Sequence, residues 1–84
     1  MIDRLRKEID SVDSQILKLI AKRMKISKKI GAWKKKNSMK VVDLQRERKV
    51  LDKISQKARR LRVDSHLSRK LFKLIMIESR KQQK

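Results

Sequence analysis

Between Ile2 and Trp33 the apolar residues step by threes and fours through Leu5, Ile9, Val12, Ile16, Leu19, Ile26 and Ile30, the spacing that lines one face of an α-helix. Nothing punctuates this stripe strongly, because the chain has no proline and its single glycine is Gly31. The spacing predicts one helix from about Ile2 to about Lys36, roughly 50 Å long at about 1.5 Å per residue. Two shorter helices of an 84-residue chain cannot cover it, and soluble proteins rarely leave so large an apolar patch facing water. The expected architecture is all-α: residues 1–84 as a single domain, three helices per subunit, the long helices paired in an intertwined homodimer.

The remaining helices follow from their start signals. Asn37-Ser38 breaks the first pattern, and Asp43 reads as the N-cap of a second helix with inward positions Leu44, Glu47, Leu51, Ile54, Ala58 and Leu61. Asp64-Ser65 reads as a third cap, leading into Leu67, Leu71, Phe72, Leu74, Ile75 and Met76. Gly31 within a helix costs about 1 kcal/mol against alanine. It marks the close approach of a neighbouring helix or a ligand, or it is a glycine tolerated near a fraying end.

Polar residues stand where apolar ones belong. Arg23 occupies a place in the first stripe, Glu47 an inward position of the second helix, and the Leu71, Ile75 row continues at spacing four into Ser79 and Gln83. A buried guanidinium is costly unless something anionic meets it. Lys34 lies eleven residues after Arg23, which leaves the two about 20° apart around the helix and roughly 16 Å apart along it. Two cations on one face can bracket a small dianion. Bland readings stand beside this one. Arg23 and Glu47 can form an ion pair that fixes register, Ser79 and Gln83 can be a helix end in water, and Lys34 and Arg46 can be solvated surface. One interior polar patch would account for all of them together.

Arg6 lies 28 residues before Lys34, roughly 42 Å along a continuous helix. It cannot reach that patch in its own chain. It is either a surface arginine near the N-terminus or a contribution to the patch of a second copy.

Composition narrows the function classes. There is no cysteine and one histidine, His66, which excludes disulfides, thiolate metal sites and a histidine dyad within the chain. There is no signal-peptide pattern, and no apolar run approaches the span of a bilayer, so a cytoplasmic protein without membrane attachment is expected. The formal net charge of +18 would draw any polyanion. However, the basic residues are spread along the chain and aromatics make up 2%, which leaves no stacking surface for single strands. The charge is read as solvated surface and electrostatic steering, with no specific nucleic-acid footprint.

Leu5-Arg6, Ile9-Asp10, Asp13, Leu19-Ile20-Ala21-Lys22-Arg23, Ile30-Gly31, Lys34, Asp43-Leu44-Gln45-Arg46-Glu47-Arg48, Leu71-Phe72 and Ser79 through Gln83 together resemble the all-helical chorismate mutase family. The resemblance covers nearly the whole chain, and the Arg-Glu pair after an aspartate is its sharpest element. It implies three helices per subunit in an interlocked dimer whose two active sites are each completed by an arginine of the partner. The implied reaction is the Claisen rearrangement of chorismate to prephenate, with no cofactor, no metal and no covalent intermediate. By the same resemblance, Arg6 of a second copy, Arg23 and Arg46 would hold the substrate carboxylates with help from Ser79. Lys34 and Gln83 would donate to the ether oxygen, and Glu47, with the backbone near Asp43, would take the ring hydroxyl. The chain departs from the family pattern at Met39-Lys40-Val41-Val42, where a proline is common, and places Gln83 next to last, with Gln82 as a fallback. An isochorismate pyruvate lyase would use much the same cationic frame, but Glu47 and Ser79 fit the mutase better. A basic helical module that binds nucleic-acid phosphates is the reading from another class. It requires no Glu47 in the core.

Overall fold

The computed structural model describes residues 1–84 as three helices and no strand. Helix α1 spans Ile2–Lys36, α2 spans Leu44–Arg60 and α3 spans Ser65–Gln83. The start signals act as expected. The Asp43 carboxylate accepts from the Arg46 amide at 3.0 Å, and Asp64 accepts from the amides of His66 at 2.8 Å and Leu67 at 3.2 Å. Such side chains satisfy amide donors that the first turn leaves without helical partners. Two residues with positive φ turn the chain after α1 and α2, Ser38 at 53° and Arg62 at 57°. No helix is long and apolar enough to cross a membrane.

Helix α3 is the centre of the fold. It packs on α1 on one side and on α2 on the other, while α1 and α2 do not pack on each other. The result is elongated, 55 × 23 × 15 Å, with a radius of gyration of 15.7 Å; a compact chain of this length would have about 12 Å. The long axis is α1 itself. Only eight residues are buried, and among them only three carry apolar side chains, Leu51, Met76 and the small Ala58. A core this small leaves one chain alone with little hydrophobic stabilisation.

What α3 covers is not the stripe. On α1 the half-buried or buried residues are Ile20, Arg23, Met24, Ser27, Gly31 and Lys34, also spaced by threes and fours but displaced by one position, about 100° around the helix. Ile2, Leu5, Ile9, Val12, Ile16 and Leu19 are all exposed, and Ile26, Ile30 and Trp33 remain so too. The inward rows of α2 and α3 also differ from expectation. Leu44 at the start of α2, Leu61 just after its end, and Leu67, Leu71 and Leu74 on α3 are exposed, whereas Ser55 and Ser68 are buried alongside the expected Ser79. Small residues fill the seams because they let helix backbones approach closely. A hydrophobic pattern registers a serine as inward only where an apolar row at spacing four leads into it, as Leu71 and Ile75 lead into Ser79; Ser27, Ser55 and Ser68 have no such lead.

Gly31 is the extreme case. A Cβ placed there would lie 2.5 Å from the Gln83 Cα and 2.7 Å from its carbonyl carbon. A neighbouring helix therefore makes the close approach, and the neighbour is the last turn of α3. This turn is held further by the Lys35 ammonium, which donates to the Lys84 carbonyl at 2.7 Å.

Candidate active site

The C-terminal half of α1, the start of α2 and the end of α3 enclose a cleft of about 340 Å³. Helix α1 brings Arg23 and Lys34, the preceding loop and first turn of α2 bring Val41, Asp43, Arg46 and Glu47, and α3 brings Ser79, Arg80 and Gln83. Ile26, Ile30, Val50 and Met76 supply apolar wall. Seven of the residues singled out in the sequence thus come together: Arg23, Lys34, Asp43, Arg46, Glu47, Ser79 and Gln83.

Each cation has a distinct setting. The Arg23 guanidinium donates through Nη1 to the Ser79 hydroxyl. Burial pulls it below its usual value, and the nearby Arg46 charge adds to that. It has no carboxylate partner. Lys34 donates from Nζ to the Val41 carbonyl and to Gln83 Oε1, both at 2.8 Å. An ammonium has three donors, so one remains for a ligand. With its oxygen engaged by Lys34, the Gln83 amide keeps its NH₂ end free to donate. The end of α3 is therefore pinned rather than fraying.

The ion pair between Arg23 and Glu47 does not form. Glu47 is held instead by Arg80, whose Nε donates to Oε2 at 2.8 Å while Nη2 meets Oε1. The hydrogen bond and the Glu47 charge push the Arg80 guanidinium above its usual value, against the effect of burial. Sequence reading passed over Arg80. Its signal was modest, an arginine between Ser79 and Gln83 on the same turn of α3.

Asp43 and Arg46 are exposed at the rim, and the Asp43 carboxylate is already engaged as a cap. Arg6 stays outside the cleft of its own chain; it is exposed and 4.0 Å from Asp3. The lining holds four cations, Arg23, Lys34, Arg46 and Arg80, against two carboxylates, Asp43 and Glu47. The excess of two positive charges matches a small dianion with an apolar body.

Residues 5–84 match the family model for type II chorismate mutases. The chain belongs to that family. Type II chorismate mutases are isomerases with chorismate as substrate, and so is this member. The chorismate mutase of Methanocaldococcus jannaschii is 32% identical, over 100% of this chain and 88% of its own. A bifunctional chorismate mutase/prephenate dehydratase of Escherichia coli K12 is 31% identical over 89% of this chain, which spans 19% of that longer protein. A solved structure, a conserved hypothetical protein from Pyrococcus furiosus, superposes with a TM-score of 0.75 at 31% identity, covering 99% of this chain and 95% of that one. The three-helix arrangement around the cleft is thus shared at the level of fold with a protein of similar length.

Proposed function

We propose that the cleft holds chorismate by its two carboxylates, catalyses its Claisen rearrangement to prephenate without a covalent step, and is completed by Arg6 of a second copy. The observation that carries this reading is Arg23, partly desolvated, bound to a neutral hydroxyl and facing no carboxylate of its own chain. A cation in that state is stabilised by an anionic ligand. Arg23 and Arg46 hold carboxylates, Arg23 being oriented by Ser79. The free Lys34 donor and the Gln83 NH₂ lie on the same wall and serve the ether oxygen. As the C–O bond breaks, negative charge grows on that oxygen, so donors fixed beforehand favour the transition state over the ground state. Clamping a flexible dianion in the compact conformer that reacts removes part of the entropic barrier. Glu47 and the backbone near Asp43 accept the ring hydroxyl.

The bare stripe of α1 supports the second copy. Packing two long helices along Ile2–Leu19 brings the N-terminal end of one toward the cleft end of the other, which places Arg6 where its own chain cannot. Purified protein should consume chorismate and release prephenate without an added cofactor, and Lys34→Ala should lower kcat/KM by about 10²–10³ while the dimer persists. Mixing inactive Lys34→Ala with inactive Arg6→Ala after co-refolding should restore about a quarter of the wild-type activity, because half of a random mixture is heterodimer with one intact site. No turnover by the unmodified protein defeats the reaction; no recovery on mixing defeats the shared site.

A further inference from the structure

We propose that Arg80 is a positioning residue that acts through Glu47: its guanidinium fork fixes that carboxylate as an acceptor for the substrate hydroxyl and keeps it away from the carboxylate-binding cations. This rests on the function proposed above. Glu47 stands one turn into α2, with its amide on the Asp43 carbonyl at 3.1 Å, so the backbone alone fixes where its side chain starts. The side chain beyond has several rotatable bonds and opens into a cleft that contains Arg23 and Arg46. An unanchored glutamate there would swing onto those cations and neutralise the charges meant for the substrate.

Arg80 prevents this from across the interface, since it belongs to α3 and lies 33 residues away in the chain. It engages both oxygens, the two-point geometry in which arginine and carboxylate fix each other's plane. The pair is half-buried, Glu47 with 20% and Arg80 with 34% of the side chain exposed, so it is neither a solvated surface bridge nor a sealed core pair. An ionised carboxylate has about four acceptor sites. Arg80 uses two, leaving one or more on each oxygen for a hydroxyl. The fork also cancels the Glu47 charge, so Arg23, Lys34 and Arg46 retain their attraction for a dianion.

A double-mutant cycle separates this role from that of a further substrate cation. Arg80→Met in the wild-type background should raise KM for chorismate about tenfold, the size of a lost hydrogen bond to a charged group, with a smaller change in kcat. In a Glu47→Gln background, measured against its own residual activity, Arg80→Met should change KM less than about twofold. Arg80→Lys, which keeps the charge but not the fork, should recover only part of the loss. An equal loss in both backgrounds, full recovery by lysine, or no effect of Arg80→Met on the wild type would each overturn the inference. Helicity and dimer content are checked for every variant, and if Arg80→Met does not fold, Arg80→Lys is carried through the same cycle with the same outcomes. A wild-type protein without mutase activity would defeat the inference together with the function it rests on; an active wild type with an additive cycle defeats the inference alone.

Discussion

The two halves of α1 continue one helix and one stripe, yet they differ in almost everything else. From Ile2 to Leu19 there are four cations and four carboxylates, and every residue is exposed. From Ile20 to Lys36 there are eight cations and no carboxylate, and α3 covers a face built on Ser27 and Gly31. The first half is neutral, apolar along one side and bare. The second is strongly positive, covered on an adjacent side and shaped around a cleft. The contrast teaches that the stripe and the intrachain seam are separate surfaces about 100° apart. In the proposed dimer the bare half of the stripe would meet a second copy, whereas the seam meets α3 within the chain.

The largest effect is expected from breaking the bare half. A charge at Ile9, far from the cleft, should abolish the dimer if the stripe is its seam. Ile9→Glu should therefore sediment as a monomer with much reduced helicity and no measurable turnover, because three buried apolar residues cannot sustain one chain alone. A stable, active monomer would refute the division of labour between the two halves.

The covered half should be broken by adding a single carbon. Gly31→Ala sets a Cβ against backbone atoms of Gln83, which cannot turn aside as a side chain can. The last turn of α3 must move, at a cost of about 1–3 kcal/mol in stability, read from the midpoint of urea denaturation. Activity should fall further than stability, because Gln83 and its partner Lys34 shift together. Misplacing donors by about 1 Å can cost on the order of 10²-fold in rate. Ser27→Ala, one turn away on the same buried face, should alter both far less, since its hydroxyl makes no side-chain hydrogen bond across the seam.

These cases also show what could be read from the chain before its structure. The long helix was legible because apolar side chains declare a face at threes and fours, and the caps were legible because Asp43 and Asp64 have a specific amide to satisfy. Seven of the eight candidate residues share the cleft because helical spacing converts directly into direction, as with Arg23 and Lys34. The intrachain seam was not legible. Its members include Ser27, Ser55 and Ser68, whose burial depends on a neighbour's backbone rather than on their own hydrophobicity, whereas Ser79 was legible from the Leu71, Ile75 row. Nor was the partner of Glu47, since the choice between Arg23 and Arg80 depends on how α2 and α3 are juxtaposed across 33 residues of sequence. Gly31 lay between these cases. Its cost announced a close approach, while only the fold identified Gln83 as the neighbour.

The smallest effect should sharpen the charge contrast. Eight cations crowd the half of α1 that borders the cleft, so the field that gathers a dianion is concentrated there, whereas the neutral half contributes little. Raising ionic strength from about 0.01 M to about 0.15 M shortens the screening length from about 30 Å to about 8 Å. Capture from a distance is weakened over that range, but contacts at hydrogen-bond distance inside the cleft are not. The expected result is a fall in kcat/KM on the order of threefold with kcat nearly constant. Lys28→Gln with Lys29→Gln should lower kcat/KM at low salt and flatten this dependence, while Lys7→Gln with Lys18→Gln should leave it almost as steep. If both pairs behave alike, the charge acts as a diffuse envelope and the asymmetry of α1 has no part in capture. If kcat/KM ignores salt altogether, the net charge of +18 is not used to gather substrate at all.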